Sequence, residues 1–279
     1  MERINSQTIL AKRRSKQRKQ KLVRGLAIVL ALMVIWKFFG SAVTWIRQWQ
    51  SDEVYDVSAE NMSVHGEKEK APKKFSEAQI TNELSRLSKK NQTYESIYNN
   101  RAEYPTVLLR SLCNNSEMLN FVAGYLIADK SAHGELTKKE CEGKIPLLLQ
   151  WDRRWGYVSY GSSDIGLSGC APTCLSMVIV GLTGNRNATP DKIAEYAQEN
   201  GYYLKGTGTS WSLLTEGASY LGVEGREISL SKKTVQTALQ QGQPIICSVG
   251  PGDFTTTGHY IVLTTVASDG SIEVHDIRI

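Results

Sequence analysis

A cysteine that does chemistry needs three things around it: a thiolate, a base that takes and returns a proton, and donors for the oxyanion formed at the attacked carbonyl. Gln150, Cys170, His259 and Asp276 supply these roles in chain order. Cys170 follows Ser168-Gly169 and opens an apolar run to Leu182, which predicts a buried helix with the thiol at its N-terminus. Unpaired N–H groups and the helix dipole favour an anion there, by about 0.3–1 kcal/mol. One pKa unit is about 1.36 kcal/mol. The helix end alone therefore cannot bring a thiol from about 8.5 to well below neutrality, and a cation such as imidazolium is needed beside it.

His259 offers that cation. It is preceded by Gly258 and by a flexible loop, Gly250-Pro251-Gly252-Asp253-Phe254-Thr255-Thr256-Thr257, and it opens a β-rich run. Such a loop lets substrate backbone come close to the ring. Asp276 follows on the returning strand of the same predicted hairpin, where its carboxylate can fix the imidazole tautomer and stabilise the imidazolium. Gln150 can donate its amide to the oxyanion together with the Cys170 N–H. Taken singly, each residue has a plain structural alternative: a packed core thiol, or a satisfied strand-end histidine. The order of four, each in a suitable element, carries the argument. Gly169, Gly258 and Trp211 are the expected substrate-binding neighbours, with core packing the alternative for Trp211.

Other constellations are weaker. Cys174 lies one turn from Cys170, but a Cys/Cys/His zinc site would lack a clear fourth ligand, so neither metal nor cofactor is expected. His275 adjoins Asp276, and strand neighbours face opposite ways, which predicts a solvent-facing ring. His65 and His133 have no catalytic argument. Gly206-Thr207-Gly208-Thr209 lacks the Lys-Ser/Thr ending of a phosphate loop and reads as a loop bordering a cleft. Cys113 and Cys141 are either a bridge or free thiols, and no C-x-x-C pair occurs.

The elements that must position these residues change character along the chain. Ser76 and Gln79 form a capping box ahead of Ile80, Leu84 and Leu87 at one-turn spacing. Pro105 is expected to open a helix carrying Val107, Leu108 and Leu112, and Ser116 to cap another with Leu119, Val122 and Leu126. Residues 75–141 thus read as a small helical module serving as spacer or support, or as a lid or docking piece. After it come the Cys170 helix, a helix from Thr189-Pro190 to about Asn200, helical character over Ser210–Leu221, and a helix from Ser231 to about Gln241. Three β-rich runs follow, 244–249, 260–266 and 271–276, the last two joined by Ser268-Asp269-Gly270. Helices followed by an antiparallel sheet give an α+β fold class.

Three blocks carry a family resemblance: Leu149-Gln150-Trp151-Asp152-Arg153-Arg154-Trp155-Gly156, Gly169-Cys170-Ala171-Pro172-Thr173 with Met177-Val178, and Gly258-His259-Tyr260-Ile261-Val262. They resemble the bacteriocin-processing (double-glycine leader) peptidases, above all their stand-alone bacterial relatives of papain-like fold. The resemblance covers about 144–279. It implies a papain-like domain with a Cys170 nucleophile, His259 as base, Asp276 as orienter, Gln150 in the oxyanion hole, and a peptide or protein as substrate. One departure is that the chain stops three residues after Asp276, where further strand or loop is expected. The reaction expected is hydrolysis of peptide bonds through an acyl-enzyme. Transfer to an amine by the same triad is the alternative within enzymes, and a peptide-binding module without turnover the alternative outside them.

Charge and hydropathy place this domain. The net charge of +5 is concentrated at the start, where residues 1–24 hold nine Lys/Arg and one acid. The remainder has 24 basic and 27 acidic residues, a net of −3, which argues against a nucleic-acid partner. Residues 25–46 are long enough to cross a bilayer as a helix. Lys37 costs about 2.5–3.5 kcal/mol near mid-span, which the apolar residues around it offset. The expectation is a basic cytoplasmic tail over 1–24, a single-span signal anchor over 25–46, a polar linker over 47–74 and a catalytic domain outside the cytoplasmic membrane. A cleavable signal peptide, exporting the same domain, is the competing reading. Nothing in the residues speaks to oligomeric state.

Overall fold

Ser76 accepts from the Gln79 N–H while Gln79 reaches back to the Ser76 N–H, so the predicted capping box starts helix α1, Glu77–Ser88, whose inward side is Ile80, Leu84 and Leu87. The computed structural model describes residues 71–142 and 145–278. Asn91 caps α2, Gln92–Asn99, and Pro105 precedes α3, Thr106–Asn114. In α3 the buried residues are Leu108, Leu109 and Leu112, whereas Val107 faces solvent. Ser116 does not cap the next helix. Asn115 caps a 3-10 turn, Ser116–Met118, which runs into α4, Leu119–Gly124, and Leu126 lies exposed beyond its end.

The second half begins with an antiparallel pair, β1 (Ser159–Tyr160) and β2 (Ser163–Asp164), and a single turn, α5 (Ile165–Ser168). Then comes α6, Cys170–Thr183, buried continuously from Ala171 to Val180 as its all-round apolar character requires, and closed by Gly184 in the left-handed region. Helix α7, Pro190–Glu199, packs against it and stops before Gly201. A short hairpin follows, β3 (Tyr203–Leu204) with β4 (Gly208–Thr209), so the glycine-threonine stretch is a tight turn. The helical character of 210–221 is split: a 3-10 turn, Trp211–Leu214, and α8, Glu216–Tyr220, meet at Thr215, whose backbone is not helical. Ser231 caps α9, Lys232–Gln240.

The three predicted strands form one antiparallel sheet in the order β5 (Ile245–Val249), β6 (His259–Val266), β7 (Ile272–His275). Pairing runs Val249 with His259 and Ser248 with Tyr260 on one side, and Val262 with His275 and Leu263 with Val274 on the other. Antiparallel pairing brings the start of β6 and the end of β7 to the same end of the sheet. Helix α6 packs across β6. The architecture is α+β, and no helix among the described residues is long and apolar enough to cross a membrane. The expected tail (1–24) and span (25–46), and all but the last residues of the linker (47–74), lie outside the described residues.

Two apolar cores result. One surrounds α6 and α7 and includes Trp155, Tyr160, Ile165, Leu175, Val262 and Ile277. The other joins α1–α4 to Leu149, Trp151 and Tyr157, residues that belong in sequence to the second half. Phe121 stacks on Tyr157 with ring centroids 4.6 Å apart, and its ring lies so close to Gly156 and Gly166 that a Cβ at either would overlap it. The helical module thus shares a core with the rest instead of standing off from it. Cys113 and Cys141 are free thiols, so the bridge expected as one alternative is not formed.

Candidate active site

The motif Trp151-Asp152-Arg153-Arg154-Trp155 proves to be scaffold. Arg154 donates to both Asp152 carboxylate oxygens, at 3.0 and 3.1 Å from Nε, and to Glu140 at 2.7 and 3.1 Å. Trp155 Nε1–H donates to Leu149 O at 2.8 Å. This holds the preceding residues rigid, and Gln150 N–H and Trp151 Nε1–H then donate to Ile277 O (3.0 Å) and Arg278 O (3.2 Å). Asn115, from the helical module, donates to the same Arg278 carbonyl. The segment 276–278, just past β7, is thereby fixed from both sides.

That segment delivers Asp276 to His259. The imidazole Nε2 and Asp276 Oδ1 are 2.8 Å apart, and both side chains are buried, at 4% and 3% exposure. Opposing effects act on each. Burial lowers the pKa of His259, and the Asp276 carboxylate raises it without cancelling that fall. Burial raises Asp276, but His259 and the Arg278 guanidinium outweigh it and hold the carboxyl below its ordinary range. Neutral imidazole beside ionised carboxylate is the state this geometry favours near neutral pH.

Arg278 is the member the sequence reading missed. Its Nε lies 3.0 Å from His259 Nε2, and its terminal nitrogen lies 3.2 Å from Asp276 Oδ2. The one available signal was its position, two residues past Asp276, where a turn folds it back toward that carboxylate.

Cys170 is the first residue of α6, as predicted. Burial pushes its thiol up, while the N–H groups of Ala171, of Tyr260 and of Cys170 itself, and the charge of Arg278, pull it down without prevailing. The thiol thus sits beside the backbone of Tyr260, the residue after His259. Among the described residues no hydrogen bond joins the thiol to the imidazole, whose Nε2 is occupied by Asp276 and Arg278 while Nδ1 has no partner. The resting arrangement is a neutral thiol and a neutral imidazole, not the preformed ion pair that the sequence argument asked for.

Gln150 is buried with its Nε2–H donating to Gly166 O at 2.7 Å, four residues before Cys170, and its Oε1 has no partner. One amide hydrogen is committed and the other is free to donate. Gly169 precedes Cys170 for a packing reason, since a Cβ there would sit 2.5 Å from Ile165 Cγ2 and 2.7 Å from Ile165 O. Gly258 is exposed with open space around it. Trp211 is 64% exposed, which rules out core packing, and its indole lies close enough to the Tyr260 hydroxyl to act on it. His275 departs from expectation: its side chain is only 14% exposed because Nδ1 rests 3.3 Å from Pro146 O. Cys174 is fully buried, and Cys247 half-buried on β5. Among the described residues no group of His, Cys, Asp and Glu is arranged to hold a metal ion.

Residues 143–277 match the family described as Peptidase_C39 like. The matched segment starts just after the helical module and ends between Asp276 and Arg278, so it includes Gln150, Cys170, His259 and Asp276 but not Arg278. No curated protein and no solved structure matches the chain. The similarity is to cysteine peptidases, which act on peptide or protein substrates.

Proposed function

We propose that this protein is a papain-like cysteine peptidase in which Cys170 attacks the scissile carbonyl, His259 moves the proton and Asp276 orients His259. The observation that carries the reading is the buried His259–Asp276 contact of 2.8 Å at the head of β6. That contact leaves Nδ1 as the ring nitrogen for a thiol held against the next residue's backbone. Because burial disfavours both charged partners, deprotonation of Cys170 by His259 accompanies attack and does not precede it. The sulfur forms a bond to the carbonyl carbon, and the resulting oxyanion is received by the Cys170 N–H and the free amide hydrogen of Gln150. His259 gives its proton to the leaving amine. Water then takes the acyl group from sulfur with His259 again acting as base. Trp211 and Gly258, both exposed, are the residues assigned to contact with the peptide.

A peptide-library hydrolysis screen read by mass spectrometry tests this, with the Cys170→Ala variant as control. Cleavage lost in the variant supports the reading; cleavage that survives the substitution, or none from the parent on any library, rejects it. Product masses with and without an added amine separate hydrolysis from transfer by the same triad. The basic run over 1–24 followed by the apolar run over 25–46 supports a single anchor with the catalytic domain outside the cytoplasmic membrane. Digestion of intact cells should then remove the domain, and full protection in unbroken cells would contradict that placement.

A further inference from the structure

The contact between Arg278 and His259 constrains where the imidazole proton can be. A guanidinium is a donor at every nitrogen and stays protonated at any ordinary pH. Its Nε–H, 3.0 Å from His259 Nε2, therefore needs a lone pair on that nitrogen. The same Nε2 is 2.8 Å from Asp276 Oδ1, an acceptor, which needs a hydrogen there. Both cannot hold at once. With Arg278 in place, its Nε–H sits between Nε2 and Asp276 Oδ1, the latter 3.5 Å away, and the neutral ring carries its proton on Nδ1. With the guanidinium moved aside, Nε2–H donates to Asp276 and Nδ1 is left with its lone pair.

We propose that Arg278 is a positioning residue that sets the tautomer of His259 and holds the base silent until its guanidinium leaves Nε2. This rests on the proposed roles of Cys170 and His259, because Nδ1 is the nitrogen that would take the thiol proton. The fold favours such a device. The Arg278 backbone is fixed by Asn115, by Trp151 and by its own N–H to Asp276 Oδ1 at 3.1 Å, while its side chain is 30% exposed and is held at His259 and Asp276 by its own hydrogen bonds alone. The exchange is balanced: one proton leaves Nδ1 to solvent, one reaches Nε2, and the ring stays neutral. The charged groups acting on His259 are Asp276 and Arg278, both from the segment after β7; Cys170 of α6 lies against the backbone of the next residue, Tyr260, and feels the charge of the same Arg278. Arg278 lies outside the matched segment 143–277, so this device is not part of what the family match reports.

The test is the ring-nitrogen NMR spectrum of the 15N-histidine-labelled full chain at pH about 8, above the ordinary imidazole value of about 6.5. There are four histidines, and a His259→Asn variant assigns the signal. The parent should show His259 protonated on Nδ1. In Arg278→Ala the Nε2–H form should replace it, the tautomer ratio shifting by at least about tenfold, the scale of one hydrogen bond from a charged donor. A parent already in the Nε2–H form, or a ratio unchanged by the substitution, overturns the proposal. Should Arg278→Ala fail to fold, the parent spectrum alone decides: Nδ1–H supports and Nε2–H refutes. No substrate is involved, so an inactive protein with the expected tautomers would reject the peptidase reading, and with it the silencing of a base, and leave only the control of the His259 tautomer by Arg278 standing.

Discussion

Asp276 and His259 illustrate how burial and pairing set a residue's chemistry against each other. Asp276→Asn removes the carboxylate charge that stabilises the imidazolium and puts an amide that can also donate in its place, and His259→Ala removes the base; each is expected to lower kcat/KM by about 10²–10⁴-fold, measured on whichever peptide the library screen yields. A fall of less than tenfold for His259→Ala would contradict its role as base. The pKa directions give a stability prediction with a definite sign. His259 titrates lower in the folded chain than unfolded, so stability is fully present above about 6.5 and declines as pH falls through the folded value. Asp276 is also lowered, and its share is lost only below about 3.8. His275, lowered by burial too, adds to the first step. Urea melts against pH should therefore show a His259→Asn variant losing less stability than the parent between about pH 6.5 and 5; equal losses would refute it. The positions of Cys170 at the start of α6, His259 at the start of β6 and Asp276 just past β7 were legible because the sequence marks those element ends, whereas Gln150 lies in an irregular stretch. Arg278 was not legible, since a surface-type residue near a strand end carries no periodic signal, and its contact is set by tertiary geometry alone.

Elements decide whether those residues meet. The start of α6 abuts α5 so tightly at Gly169 that any side chain there must displace Ile165. Gly169→Ala should cost about 1–3 kcal/mol, read as a lower urea midpoint. It should also slow alkylation of Cys170 at high pH if the helix start shifts; an unchanged midpoint would contradict the packing. Helices α6, α7 and α9 and the three strands were readable from periodicity and caps, since propensity, burial pattern and glycine stops agreed there. The short pairs β1–β2 and β3–β4 were not, because two-residue strands have no period to detect. The break at Thr215 likewise has no mark in the sequence, since no glycine or proline stands there.

At the scale of the whole molecule, the helical module is structural to the site it adjoins. Its core includes Leu149, Trp151 and Tyr157, and its Asn115 holds the carbonyl of Arg278. Sequence reading placed the module's helices but not this union, since apolar positions show which face is buried and not against what. Phe121→Ala should therefore cost about 3–5 kcal/mol and lower a single transition seen alike by tryptophan fluorescence and circular dichroism. Two separated transitions would mean that the module folds apart from the rest. The central claim, that Cys170 is an acyl-forming nucleophile driven by His259, is tested most directly by the intact mass of the protein after reaction with a peptidyl acyloxymethyl ketone. The account predicts one adduct, on Cys170, that His259→Ala abolishes while iodoacetamide at high pH still labels the variant's thiol. An adduct formed equally without His259, or none in the parent under conditions where the thiol is accessible, would contradict it.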